Sequence, residues 1–176
     1  MTTSTIAPQG EPDFTAPTWL FILLAVAALS ELIGGLSTLP VLAGNLNDTP
    51  GPGPGGWVML TYIVLRPFLA LAALIFLYKR HLRPALFCLA AIMALAWADM
   101  VPTILEHGLQ LEDGDAIMRT IMIFTLFVMP VLAIATAALA ALRTRPVLAS
   151  LLGVSATVFG WIGVLIFTVS FAIHGF

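Results

Sequence analysis

The chain has 176 residues, 60% of them apolar and 9% charged, with a formal net charge of −2. Soluble domains carry about 25% charged residues, so seven basic and nine acidic side chains cannot cover a water-facing surface of this size. The weak negative charge excludes the basic footprint of a nucleic-acid binder, and the apolar excess requires lipid as its solvent.

Residues 1–17 form a polar N-terminal tail with Pro8, Pro12, Pro17, Glu11 and Asp13, a composition that does not build a core. The first apolar run covers residues 19–43. It has neither the basic n-region nor the short h-region of a secretory signal, so it reads as a span, although Val41-Leu42-Ala43 weakly resembles a cleavage site. Residues 45–56, rich in proline and glycine, read as a loop. The second run covers 57–78, and the basic turn Lys79-Arg80-His81-Leu82-Arg83 follows it. Pro84, suited to a first helical turn, opens the third run over 84–105. The loop 106–115 carries Glu106, Glu112, Asp113 and Asp115 and no base. A fourth run covers 116–142, Arg143-Thr144-Arg145 is the next turn, and Pro146 opens the fifth run over 146–173.

Each run reaches the roughly 20 residues that cross a bilayer as a helix, and period-2 alternation, the mark of a barrel, is absent. The expected fold is all-α: a single polytopic transmembrane bundle over 18–176 with about five spans. Lys79, Arg80 and Arg83 in one turn, and Arg143 and Arg145 in another, assign both turns to the cytoplasmic side. The N-terminus is then cytoplasmic and the C-terminus outside, which suits a multi-pass protein of a bacterial inner membrane. The acidic tail lacks bases to hold it inside, and Arg119 at the outer end of the fourth run departs from the rule, with Asp115 a helical turn away to neutralise it. Trp19, Trp57 and Tyr78 fall at span ends as interfacial anchors; Trp97 and Trp161 fall inside and read as packing residues.

Three ionisable residues lie within the runs: Glu31, Arg66 and Asp99. A charge at the bilayer centre costs about 2.5–3.5 kcal/mol on insertion scales, and arginine cannot escape by losing its proton. At 1.5 Å rise per residue, Glu31 lies about 16 Å, Arg66 about 13 Å and Asp99 about 10 Å from the outer ends. This common layer predicts that Arg66 pairs with Glu31, Asp99 or both. Glu31, Gly34, Gly35 and Thr38 share one helical face, and Asp99, Thr103 and Glu106 share another that leads to His107. Thr38, Thr103, Glu106 and His107 therefore form a candidate outer polar path. Pro67 and Pro102 deprive the Ile63 and Ala98 carbonyls of their helical donors, and interrupted helices beside buried charges are found at transporter sites.

Two readings of the cluster stand side by side. In one, the charges fix helix register and nothing more, and Gly34 and Gly35 allow close approach. In the other, they mark a substrate or ion pathway. The small-residue face Gly153, Ala156, Thr157, Gly160 and Gly163, and the alanines from Ala133 to Ala141, are packing surfaces within the bundle, toward a partner membrane protein, or toward a second copy.

No phosphate-binding, GxSxG or HExxH pattern occurs, and His81, His107 and His174 all lie near span ends. Cys88 reads as a small buried hydrophobe. No catalytic residue, metal site or cofactor is expected. The composition thus ranks first a non-enzymatic accessory or assembly protein in contact with membrane lipid. The alternative is a carrier or channel for a proton, cation or small solute using Glu31, Arg66 and Asp99. A membrane enzyme acting on a lipid or quinone through Asp99, Glu106 and His107 ranks last.

Overall fold

The computed structural model describes residues 17–44, 54–107 and 116–174. The tail over 1–16, most of the loop 45–56, and residues 108–115 with Asp115 lie outside the described residues, as do the side chains of Thr103, Glu106, His107 and His174. Among the described residues the chain is helical, without strands.

Five rods are long and apolar enough to cross a membrane. The first three are α1 (Thr18–Gly44), α2 (Pro54–Tyr78) and α3 (Leu82–His107). The fourth consists of α4 (Ala116–Ile123), a π-helical turn over Phe124–Val128, and α5 (Met129–Leu142); the fifth is α6 (Pro146–His174). The chain is therefore a membrane-spanning helical bundle, as its hydropathy requires. Sequential rods are neighbours: α2 packs on α1 and α3, α5 on α3 and α6, and α6 returns to α1, closing a ring.

The ring is tight at the end that carries the two basic turns. There Leu24, Ala27 and Ala28 of α1 meet Ala70, Ala73 and Leu77 of α2, and Ala85, Leu86 and Leu89 of α3, all buried. Lipid tails are as apolar as leucine, so helices in a bilayer associate through close van der Waals contact. Alanine suits that contact because it keeps backbones near each other.

Both basic turns use one device. After α2, His81 N–H donates to Phe76 O (2.8 Å) and Arg80 N–H to Leu77 O (3.0 Å), a Schellman closure. Arg80 holds the left-handed position where glycine is usual, with φ 62°. After α5, Thr144 N–H donates to Leu139 O (3.3 Å) around Arg143 at φ 53°. Arg80 also lies over the Phe21 ring of α1, 5.0 Å from its centroid, which ties this turn to the start of the first rod.

The π turn in the fourth rod has a local cause. Pro130 lacks an N–H, so the Leu126 carbonyl loses its helical donor. The backbone widens, with Met129 N–H reaching Phe124 O five residues back, and the Trp97 indole donates to Leu126 O at 3.1 Å. Trp97 therefore packs against the fourth rod and also satisfies its broken ladder.

Candidate functional site

α1 and α2 pack on each other, and two glycines of α1 face an arginine and a proline of α2. A Cβ on Gly35 would lie 2.9 Å from Pro67 Cδ, and a Cβ on Gly34 would lie 2.9 Å from Arg66 Nη2. Gly35 thus lets the proline-bearing turn of α2 approach, and Gly34 leaves the volume that the guanidinium occupies.

Arg66 reaches across this junction to Glu31. Its Nε donates to Glu31 Oε2 at 2.9 Å, and Nη2 lies 2.8 Å from the same oxygen. The other oxygen, Oε1, accepts from Thr157 Oγ1 of α6 at 2.9 Å. Both carboxylate oxygens are therefore engaged, and three rods meet at one side chain. The side chains are 22% (Arg66) and 13% (Glu31) exposed, a largely desolvated pair whose charges cancel. One turn before Arg66, Tyr62 places its ring 5.7 Å from the guanidinium carbon. On the α6 side, Trp161 Nε1 donates to Ser30 Oγ at 2.7 Å.

These groups line a cavity of about 300 Å³ inside the ring of helices. Glu31, Arg66, Ser30, Tyr62 and Thr157 supply its polar wall. The remainder is apolar, with Met93 of α3 and Met129 of α5 opposite the ion pair. Glu31 stands about 20 Å along α1, Arg66 about 18 Å back from the end of α2, and Thr157 about 17 Å along α6, counted at 1.5 Å per residue. The cavity therefore sits near mid-span.

Of the residues singled out from the sequence, Glu31 and Arg66 meet. Asp99 lies on α3 outside the cavity lining and makes no ion pair among the described residues, so the pairing of Arg66 is with Glu31. Thr38 turns inward to its own helix, donating to Gly35 O at 2.7 Å. Thr157, Ser30, Tyr62 and Trp161 complete the polar wall, and sequence reasoning did not assign them to it. Thr157 was visible only as a small residue on a packing face, and the signal for its role was its hydroxyl at the depth of Glu31. Among the described residues no group of three or more His, Cys, Asp or Glu side chains is placed to hold a metal ion.

No protein-family model, curated protein or solved structure matches the chain.

Proposed function

We propose that the chain is a carrier or channel for a small solute, located in a bacterial inner membrane, with the cavity beside Glu31 and Arg66 as its binding site. The observation that carries this reading is open volume next to a paired charge near mid-span. An ion pair that only fixed register would be expected in close-packed surroundings, since interiors pack to crystal-like density. Here the pair borders about 300 Å³ of space instead. That space supports the solute reading as an alternative to the accessory or assembly role that composition alone ranks first.

Arg66 is the group that meets the solute. Glu31 neutralises and orients it, Thr157 holds Glu31, and Gly34 leaves the guanidinium room. A route from the cavity would run along α3 from Ala96 toward Asp99, one turn further on.

Proteoliposome flux tests the reading. A Cβ at Gly160, which lines the cavity, would meet nothing within 4 Å, so Gly160→Leu starts its side chain in open space. Vesicles containing the native chain should swell in small polar solutes, or conduct protons, faster than empty vesicles, and Gly160→Leu should remove the excess. Flux that the leucine leaves unchanged, or no flux above empty vesicles, overturns the proposal.

A further inference from the structure

The reading of the cavity as a solute site can be taken one step further, to the chemistry of the solute. Each polar group on the wall has a countable hydrogen-bonding capacity. Glu31 is engaged at both oxygens, and the Trp161 N–H and the Thr157 hydroxyl hydrogen are already donated. Arg66 has five N–H groups and uses two on Glu31. Its other N–H groups, the Ser30 hydroxyl hydrogen and the Tyr62 phenol have no acceptor among the described residues. The wall also keeps acceptors on the Ser30, Tyr62 and Thr157 oxygens, but its largest unused donor set is the three remaining Arg66 N–H groups, and arginine contributes no acceptor at all.

Charge sets the second limit. Glu31 and Arg66 are the charged side chains of the lining and sum to zero, so a charged solute would meet no compensating charge on the cavity wall near mid-span, where an uncompensated charge is costly. The third limit is shape and polarity. Met93, Met129, Ile92 and Val164 give an apolar wall, and the thioether chains adapt to irregular outlines. The volume lies at the low end of the roughly 300–1,000 Å³ usual for small-molecule sites.

We infer that the cavity takes a neutral, carbonyl-bearing molecule with an apolar body, its oxygen accepting from Arg66 and its body lying against Met93 and Met129. The inference rests on the solute-site reading above and goes beyond it in naming the ligand class.

Photolabelling of the full chain in nanodiscs with acetophenone bearing a para trifluoromethyldiazirine, an aryl ketone whose carbene forms at the ring end remote from the carbonyl, tests both levels separately. The competitors are acetophenone, 1-phenylethanol and benzoate, which share a ring and differ in a ketone, a hydroxyl and a carboxylate. The label should land on Met93 or Met129 and be lost in Gly160→Leu. Acetophenone should compete at concentrations about tenfold lower than the alcohol or the carboxylate, the factor one well-made hydrogen bond supplies. If the label maps to those methionines but benzoate or 1-phenylethanol competes as well as acetophenone, the ligand class is wrong and the solute site stands. If the label falls elsewhere, or persists in Gly160→Leu, the site and the ligand class fall together.

Discussion

The two ends of the bundle are built differently. At the end with the basic turns, every rod contributes buried residues: Leu24 and Ala27 from α1, Ala73 and Leu77 from α2, Leu86 and Leu89 from α3, Ala140 from α5, and Ala149 from α6. Past the layer of Glu31, Arg66, Met93, Ala133 and Thr157, the described residues include a single buried one, Gly35. The cavity lies at this boundary. A close-packed base thus holds the rods in register, while the ion pair and its hydrogen bonds tie α1, α2 and α6 together at the height where packing gives out. Polar contacts do more structural work there because few van der Waals contacts remain to share it.

The sharpest way to break this division is to remove one member of the pair. Glu31→Leu leaves the Arg66 cation in a desolvated layer, and it should lower stability by about 3–5 kcal/mol, the usual loss when one partner of a buried pair is deleted. The double variant Glu31→Leu/Arg66→Met removes both charges and should recover most of that loss. Unfolding in mixed detergent micelles measures both. Equal losses in the single and double variants would mean that Arg66 finds another partner.

Two buried threonines sharpen the same contrast. Thr157 faces the cavity and donates to Glu31, whereas Thr136, in the packed half, is fully buried with its hydroxyl unpartnered. Thr157→Val takes a hydrogen bond from a carboxylate and should cost about 1.5–3 kcal/mol. Thr136→Val is near in shape and removes an orphaned polar atom, so it should be neutral or stabilising by about 1 kcal/mol. The same unfolding assay ranks them, and equal effects would dissolve the distinction between the two halves.

The legibility of these features in the sequence follows the same division. The five rods are readable because run length and hydropathy are one-dimensional properties, and the bilayer imposes both. The need of Arg66 for an acid is readable too, since a guanidinium stays charged at any depth. Which acid it takes is not. Counting residues gives a depth along each rod but no bearing around it, and Glu31 and Asp99 both fall within reach by depth. The face pattern Glu31–Gly34–Gly35 held the missing information, because adjacent glycines are where a second helix can come close. Trp97 was readable as an interior residue, but its hydrogen bond depends on Pro130, far away in sequence, leaving a carbonyl open. The cavity leaves no trace in the sequence at all, since empty volume is a property of how five rods fail to meet.

The smallest expected effect lies at the tight end and tests whether its turns are built as their geometry indicates. Arg80 occupies a left-handed C′ position, where a side chain other than glycine costs about 1–2 kcal/mol. Its guanidinium offsets part of that by lying over Phe21, a contact worth about 0.5–1 kcal/mol at an exposed site. Neither Arg80→Gly nor Arg80→Ala keeps the ring contact, so their difference isolates the backbone. The glycine variant should be the more stable by about 1 kcal/mol, with the native arginine between them or close to the glycine. Alanine equal to glycine would show that the turn opens to a different conformation. The basic end would then owe its rigidity to the buried leucines and alanines alone, without help from its caps.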